Sequence, residues 1–411
     1  MNAEIVGVGT ELLLGQIANT NAQRLSAALA GIGVDVYFHT AVGDNLERMT
    51  EVIARAEGRS DVVIITGGLG PTPDDITREA VSAAFEIPLV RREDLAVDLR
   101  AFFARRGRAM PETNLRQVEL PRDAVAIPAE GTAPGFYLET GDALVVALPG
   151  VPWEMSRMLE KVVLPLLRAR TPNAVTLSRE VLVAGLGESH THEKIADLVE
   201  TQSNPTIAYL AGYGLVRVRV TAKAADDATA RSLIAPVEAE IRARLEHHAV
   251  TGEGATLAQV LGNLLRTRSA TVAVAESLTG GMIGAALTEV AGASDYFRGS
   301  AVTYATDTKH TVLGVDEAHL EDPGPASGTV AEQMAEGAAR LFNADLGLAA
   351  TGVAGPTEHA GQRVGTIFVA AWWRGAAANR HIRGYGDRDS TRGIAVNSAI
   401  DLGRLMVEGN L

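Results

Sequence analysis

The feature that most limits the fold of this chain is the alternation of short, strand-like runs with longer helical patterns. In the first 170 residues, strand-like runs at Ala3–Val8, Val34–Phe38 and Asp61–Thr66 are separated by helical patterns, and a further strand is predicted at Ala143–Leu148. The run Asp61–Thr66 is apolar and β-branched, as expected for a strand buried in a parallel sheet. The order β-α-β-α-β predicts a doubly wound α/β layer structure.

The rest of the chain divides into two further parts. A 411-residue chain exceeds the roughly 250–300 residues at which one hydrophobic core stops growing. From about residue 178 to 249 the order becomes β-α-β-β-α, and a second α/β pattern begins at Thr271. The segments Thr171-Pro172-Asn173 and Thr251-Gly252-Glu253-Gly254 are the predicted boundaries. We therefore expect two three-layer α/β domains, residues 1–170 and 253–411, joined by a small α+β module at 171–252.

Composition excludes several functions and locations. The chain has no cysteine, which rules out disulfides, thiolate metal sites and a cysteine nucleophile. Its net charge of -13 disfavours direct nucleic-acid binding, since phosphate backbones attract basic surfaces. No apolar run approaches the ~20 residues that span a bilayer, and the start Met1-Asn2-Ala3-Glu4 lacks the features of a signal peptide. We expect a cytoplasmic protein without a membrane partner.

A glycine-rich loop follows the predicted strand Asp61–Thr66. It runs from Gly67 to Asp75 and leads into a helix. Glycines at a helix start let backbone N–H groups approach a phosphate, and Asp74 and Asp75 could hold a divalent cation beside it. The same residues are also typical of a tight turn with N-capping aspartates, so the loop alone leaves both interpretations open.

The run from Thr66 to Ala80, Thr-Gly-Gly-Leu-Gly-Pro-Thr-Pro-Asp-Asp-Ile-Thr-Arg-Glu-Ala, resembles the loop of molybdopterin-binding domains. Further motifs at residues 9–15, 19–21, 131–135 and 148–152 resemble the CinA branch of that superfamily. This resemblance implies hydrolysis of ADP-ribose to AMP and ribose 5-phosphate with a divalent metal such as Mg, Mn or Co. The residues implied are the metal ligands Asp44, Asp75 and Glu11, the diphosphate-binding Gly68 and Gly70, and Asn114 for ribose or base.

A second loop with chemical potential surrounds Ser277. The predicted strand Thr271–Ala275 delivers this serine to a turn, where neighbouring N–H groups could stabilise an oxyanion. A serine needs a base, and Lys309, with Tyr304, follows a second strand whose carboxyl end could face it. Burial would lower the pKa of such a lysine and leave a neutral amine. The alternatives are a helix-capping serine and an ordinary surface lysine.

Four motifs of this region, in order, resemble the CinA C-terminal domain: residues 275–281, residues 299–304, Lys309 with 313–315, and residues 350–356. That family is known as nicotinamide-nucleotide amidohydrolase, which converts nicotinamide mononucleotide and water to nicotinate mononucleotide and ammonia without a cofactor. The resemblance implies Ser277 as nucleophile, Lys309 as base and Tyr304 as supporting donor. The substrate-binding residues implied are Thr279, Gly280, Gly281, Thr351, Gly352 and Arg392.

This chain departs from the family pattern at two places. Leu278 stands where cysteine is common, and Thr357-Glu358-His359 replaces a more glycine-rich stretch. The second change affects a loop that contacts substrate. The family also implies a homodimer. The leading hypothesis is a bifunctional hydrolase of pyridine-nucleotide salvage. The alternatives are that the N-terminal domain only binds a nucleotide or molybdopterin, or that the chain is an interaction protein in competence or DNA damage.

Overall fold

The computed structural model describes residues 1–141, 143–170, 175–250, 256–359 and 361–411. The predicted boundaries Thr171-Pro172-Asn173 and Thr251-Gly252-Glu253-Gly254 lie outside these residues. The chain forms two compact units. One comprises Met1–Leu177 with Lys223–Arg231, and the other comprises Ser178–Ala222 with Ser232–Leu411.

The first unit contains a six-stranded mixed sheet of order β2-β1-β3-β8-β7-β6 and a small ladder of β4 with β5. The strands are β1 Asn2–Val8, β2 Asp35–Val42, β3 Val62–Thr66, β4 Leu89–Arg91, β5 Glu119–Pro121, β6 Val125–Ile127, β7 Gly135–Thr140 and β8 Ala143–Leu148. The pairs of β1 with β2, β1 with β3 and β3 with β8 are parallel. Strands β7 and β6 extend the sheet in antiparallel fashion.

Helices cover both faces of this sheet. They are α1 Thr10–Leu13, α2 Thr20–Ala30, α3 Leu46–Glu57, α4 Thr77–Phe85, α5 Glu93–Arg105, α6 Pro152–Met158 and α7 Leu164–Arg170. A 3₁₀ helix at Glu112–Val118 precedes β5, and a π turn at Leu159–Val163 joins α6 to α7. Adjacent residues of β3 enter different cores, Ile64 one and Ile65 the other. Because side chains alternate along a strand, two cores of this kind define a three-layer α/β structure.

Most of the small α+β module belongs to the second unit, although residues 175–177 and Lys223–Arg231 are grouped with the first. Its elements are β9 Val175–Ala184, α8 Glu188–Glu200, β10 Thr206–Gly212, β11 Leu215–Ala224, α9 Asp227–Leu245 and β12 Ala249–Val250. The four strands form a sheet of order β10-β11-β9-β12. The predicted order β-α-β-β-α is therefore confirmed, with β12 as an addition.

The remainder of this unit is a second α/β layer structure with the sheet order β14-β13-β15-β16-β17. The strands are β13 Val272–Glu276, β14 Phe297–Val302, β15 Leu346–Gly352, β16 Thr366–Trp373 and β17 Ala376–Arg383. The helices are α10 Leu257–Thr267, α11 Met282–Thr288, α12 Thr306–Leu313, α13 Glu317–Glu321, α14 Gly328–Phe342 and α15 Arg388–Glu408. Val274 and Ala275 again enter separate cores, so this domain has three layers too.

Local sequence explains how several helices begin. The predicted cap Thr256 starts α10 with a full capping box, in which its hydroxyl accepts from Gln259 N–H and the Gln259 side chain accepts from Thr256 N–H. Asn45 caps α3 by accepting from Arg48 N–H. Within the described ranges, no helix combines the length and the apolar character needed to cross a membrane.

Candidate active site

Ser277 lies where the sequence pattern predicts it, directly after β13. This strand is central because it pairs in parallel with β14 on one side and β15 on the other. The Ser277 N–H donates to the carbonyl of Ala350 at 3.0 Å, which extends the ladder with β15 by one step. Ser277 is only 9% exposed. The serine is therefore held at the carboxyl edge of the sheet, the edge at which α/β folds place ligands.

Lys309 reaches this serine from a neighbouring helix. It lies on α12, which follows β14, and its Nζ donates to Ser277 Oγ at 3.1 Å and to the Thr303 carbonyl at 2.7 Å. The side chain is 2% exposed, and no carboxylate pairs with it among the described residues. Burial lowers the pKa of Lys309 from 10.5 to about 8. With this pKa about a tenth of the lysine is a neutral amine at pH 7, far more than for an exposed lysine, and the neutral amine is the form that a base for Ser277 requires.

Glu276, the residue before the serine, organises the turn. Its carboxylate is fully buried and accepts hydrogen bonds from the N–H groups of Gly281, Ile283 and Gly284 at 2.9–3.0 Å. It also accepts from the Ser300 hydroxyl on β14 at 2.9 Å. A negative charge is favourable beside the free N–H groups at the start of a helix. Glu276 thus joins β13, β14 and α11, and the sequence analysis did not assign it a role.

The predicted substrate-binding residues Thr279, Gly280 and Gly281 form the turn that Glu276 holds. Gly280 and Gly281 have φ values of 61° and 100°, which glycine adopts without strain. Thr279 is fully buried. A cavity opens in front of Ser277, and none of these three residues lines it. The structure therefore places them behind the serine.

Arg392 fastens the same turn from α15. Its Nε donates to the Leu278 carbonyl at 3.1 Å, and its Nη2 donates to the Thr279 carbonyl at 2.8 Å. Arg392 is not among the residues that line the cavity. Arg392 was expected to bind substrate, but its hydrogen bonds orient the turn that carries Ser277 instead.

A cavity of about 330 Å³ opens in front of Ser277 and Lys309. Three other predicted residues line it, namely Tyr304, Thr351 and Gly352. Thr351 is 2% exposed, and its hydroxyl donates to the Pro325 carbonyl at 2.8 Å. This hydrogen bond connects two residues of the cavity wall. Tyr304 is 61% exposed at the mouth. The volume lies within the range of small-molecule sites, roughly 300–1,000 Å³.

Arg388 is a cavity residue that the sequence analysis missed. It is the first residue of α15, and its Nη1 donates to the Gly355 carbonyl at 2.6 Å while its Nη2 donates to the Tyr304 hydroxyl at 3.1 Å. Arg388 lies four residues before Arg392, one turn away on the same helix, but this spacing does not by itself distinguish a cavity residue from an exposed arginine. Thr357 and His359, from the stretch that departs from the family pattern, line the cavity as well.

The first unit contains a separate cavity of about 410 Å³. The predicted residues that line it are Glu11, Asp44, Asp75, Gly68 and Gly70. Asn114 is not among the lining residues. It is buried and its amide donates to Gln117 Oε1 at 3.0 Å, whereas Gln117 itself reaches the wall.

Two carboxylates of this cavity already accept hydrogen bonds from neighbouring threonines. Asp44 Oδ2 accepts from the N–H and hydroxyl of Thr10 at 3.0 and 2.7 Å. Asp75 Oδ2 accepts from the N–H and hydroxyl of Thr72 at 2.9 and 2.5 Å. Glu154, which the sequence analysis missed, also lines the cavity, and burial raises the pKa of its carboxyl group.

The cavity carboxylates are suited to only one way of holding a divalent cation. Within the described residues, no three His, Asp or Glu side chains converge on one point as a preformed metal cage would require. The cavity offers several carboxylate oxygens, the donor type that Mg²⁺ prefers, and Mg²⁺ is commonly held by one or two carboxylates together with substrate phosphates. The residues therefore fit a cation that arrives with a phosphorylated ligand, and they do not fit a fully protein-coordinated ion.

Comparison with known proteins assigns each part of the chain to a described family. Residues 254–407 match the CinA C-terminal domain, residues 178–251 match the damage-inducible protein CinA KH domain, and residues 4–169 match the family described as "Probable molybdopterin binding domain". The three matches together span almost the entire length.

Relatives of full length are also found. A CinA-like protein of Dictyoglomus thermophilum is 43% identical over 404 residues, which cover 98% of each chain. A CinA-like protein of Frankia casuarinae is 45% identical over 419 aligned residues, covering 100% of this chain and 97% of the relative. Among solved structures, a CinA protein of Thermoplasma acidophilum is 32% identical, covers 39% of this chain and 95% of its own, and has a TM-score of 0.37. The chain therefore belongs to the CinA family.

Proposed function

We propose that the site around Ser277 is an amidohydrolase that converts nicotinamide mononucleotide and water to nicotinate mononucleotide and ammonia. The observation that carries this proposal is the 3.1 Å hydrogen bond between the buried Lys309 Nζ and Ser277 Oγ. A serine becomes a nucleophile when an adjacent base can accept its proton, and the pKa of about 8 makes Lys309 such a base.

The reaction follows from these two groups. Neutral Lys309 takes the proton of the Ser277 hydroxyl while Oγ attacks the carbonyl carbon of the substrate amide. The Lys309 ammonium then donates that proton to the amide nitrogen, the carbon–nitrogen bond breaks, and ammonia leaves an ester on Ser277. Lys309 next takes a proton from a water molecule that attacks this ester. The bond between the acyl carbon and Oγ then breaks, and the Lys309 ammonium returns its proton to Oγ. The products are the acid, which ionises to the carboxylate, the serine hydroxyl and neutral Lys309.

Other residues contribute binding and orientation in this proposal. Arg388 supplies a cation on the cavity wall for the substrate phosphate, since a guanidinium offers paired donors to an anion. Tyr304 lies at the mouth beside it and supports the substrate by its hydroxyl. Glu276 and Arg392 hold the turn on which Ser277 lies, from opposite sides.

The test is ammonia release from nicotinamide mononucleotide by the purified full-length protein. Ser277→Ala should abolish release because the variant has no nucleophile. Ser178→Ala, which removes an exposed hydroxyl on β9, is the matched control and should retain full activity. Unchanged ammonia release by Ser277→Ala would exclude the serine as nucleophile.

We further propose that the cavity of the first unit hydrolyses ADP-ribose to AMP and ribose 5-phosphate with a divalent cation. The observation in favour is that Glu11, Asp44 and Asp75 line one cavity with the glycine loop around Gly68 and Gly70. When bound, the cation would supply charge neutralisation at the diphosphate. Asp44 and Asp75 would hold it, and the loop would receive the phosphate oxygens through backbone N–H groups.

Formation of AMP, measured with and without Mg²⁺, Mn²⁺ or Co²⁺, tests the second proposal. We expect Asp75→Asn to lose activity, with Asp123→Asn, an exposed aspartate of the same unit, as its control. Binding of ADP-ribose without turnover under all metals would instead identify this domain as a nucleotide binder.

A further inference from the structure

The hairpin that joins β10 to β11 in the small module contains an unusual residue at its tip. Gly212 pairs with Leu215, so the turn has two central residues, Tyr213 and Gly214. Their φ values are 50° and 75°. Two-residue hairpins with positive φ at both positions prefer Asn-Gly or Gly-Gly, because a bulky side chain at positive φ is strained. A tyrosine here therefore calls for an explanation outside the turn.

The explanation lies in what the tyrosine ring touches. A Cβ added to Gly393 on α15 would lie 2.5 Å from Cδ1 and 3.0 Å from Cγ of Tyr213, so the ring occupies the space that this glycine leaves open. The Tyr213 carbonyl also accepts a hydrogen bond from Asn397 Nδ2 at 2.9 Å. The hairpin tip thus contacts α15 through the Tyr213 ring and this hydrogen bond, and Gly214 lies beside Ile394 of the same helix.

This part of α15 is the part that holds the candidate active site. Arg392, the residue before Gly393, donates to the carbonyls of Leu278 and Thr279 directly after the nucleophile. A shift of α15 at Gly393 would therefore move the two donors that fix the Ser277 turn.

We infer that Tyr213 is a positioning residue for the amidohydrolase site, acting through Gly393 and Arg392 on the turn that carries Ser277. The small module is then part of the working active site and not only a connection between domains. This inference rests on the proposed amidohydrolase function.

The decisive variant is Tyr213→Asn. Asparagine fits the turn better than tyrosine, so folding stability should be retained or increased. The ring contact with Gly393 is nevertheless lost, and we expect kcat to fall by about three- to tenfold, as for other residues that act through packing. KM should change little, since Arg388 keeps its own partners, Gly355 and Tyr304. Unchanged kcat in a folded Tyr213→Asn protein would overturn the inference.

The chain offers a matched control in another hairpin. The turn between β16 and β17 also has two central residues, Arg374 and Gly375, with φ values of 48° and 100°. It lies at the opposite edge of the sheet from Ser277, because Trp373 pairs with the first residue of β15. Arg374→Asn should leave kcat unchanged. An equal loss of kcat in the two hairpin variants would show that general destabilisation causes it, and would refute a specific role for Tyr213.

A double-mutant cycle tests the ring contact itself. Gly393→Ala should lower kcat in the wild-type background, because the new methyl group meets the Tyr213 ring. The same change should cost much less in the Tyr213→Asn background, where that ring is absent. Additive effects would show that Tyr213 and Gly393 do not communicate.

A readout independent of activity separates this inference from the proposed function. Hydrogen exchange of the Gly281, Ile283 and Gly284 amides reports the turn directly, since all three donate to Glu276. We expect faster exchange in Tyr213→Asn and no change in Arg374→Asn. If the wild-type protein released no ammonia, the proposed function would fail, but the exchange experiment would still decide whether Tyr213 positions the turn.

Discussion

Lys309 owes its proposed role to burial. The ammonium form of an exposed lysine predominates at neutral pH, whereas removal from water disfavours the charged form. Because the neutral amine is the active form, kcat should rise with pH and level off above an inflection near the Lys309 pKa of about 8. A pH–rate profile measures this inflection. An inflection near 10, the range of an exposed lysine, would contradict the assignment.

Replacing the base should remove the catalysis and not the fold. Lys309→Met keeps the length of the side chain, and we expect kcat to fall by about 10²- to 10⁴-fold, the usual contribution of a general base. Circular dichroism provides the control for folding. Activity close to that of the wild type would transfer the role of base to another group.

The same burial makes stability depend on pH. In the unfolded chain Lys309 has its ordinary pKa of 10.5, and in the folded chain about 8, so between these values the unfolded state binds more protons. The wild type should therefore gain free energy of unfolding relative to Lys309→Met as pH rises from 8 to 10.5. Denaturant unfolding of both proteins at several pH values checks this. A difference that stays constant over the window would be evidence against the lowered pKa.

Arg388 offers a test of substrate recognition at the level of one side chain. If its guanidinium meets the substrate phosphate, Arg388→Ala should raise KM for nicotinamide mononucleotide by about tenfold or more, the effect of losing a charge-assisted hydrogen bond. The KM for nicotinamide riboside, which lacks the phosphate, should change far less. Arg383→Ala, an exposed arginine at the end of β17, is the matched control. Equal KM increases for both substrates would contradict a contact between Arg388 and the substrate phosphate.

At the scale of elements, the nucleophile turn depends on the carboxylate of Glu276. Glu276→Gln replaces one accepting oxygen with an NH₂ group, although three N–H groups and one hydroxyl point at this side chain. At least one buried donor then lacks a partner, which costs about 1–3 kcal/mol of stability. We expect kcat to fall by about ten- to hundredfold, because even a small displacement of a nucleophile from its reactive position slows the reaction. Thermal unfolding and kcat of Glu289→Gln, an exposed glutamate at the end of α11, provide the comparison.

Elements with strong local signals were predicted well from sequence. The bounds of β8 agree with the predicted strand Ala143–Leu148, because a fully buried strand is encoded within a few residues. Strands β6 and β7 were missed. They are antiparallel additions at the sheet edge, where β7 pairs with β8 and β6 pairs with β7. Strand formation at these positions depends on the neighbouring strand, and local sequence does not show that neighbour.

The residues of the candidate site also fall into those that the sequence predicted and those that it did not. Ser277 and Lys309 were identified by motif, but α12 was not predicted as a helix, and its geometry alone brings Lys309 Nζ to the serine. Glu276 and Arg388 were missed for a related reason. A glutamate in a strand and an arginine at a helix start are common in solvent-facing positions, and only tertiary contacts distinguish these two residues from others of their type.

At the scale of the whole molecule, the two candidate sites belong to separate compact units. Each unit has its own hydrophobic cores on both faces of its own sheet. The residues proposed for ADP-ribose all come from the first unit, and those proposed for nicotinamide mononucleotide all come from the second. Changes at sites that share no partners have additive effects, so the two activities should be separable by mutation.

Reciprocal variants of the full-length chain test this independence. Ser277→Ala should abolish ammonia release and leave AMP formation from ADP-ribose within about twofold of the wild type, the limit expected for uncoupled sites. Asp75→Asn should do the reverse. A chelator should likewise stop AMP formation only, because the reaction proposed for Ser277 and Lys309 has no step that needs a metal. If Ser277→Ala slowed ADP-ribose hydrolysis well beyond that limit, the two sites would have to be coupled, and the separate cores would not be sufficient to isolate them.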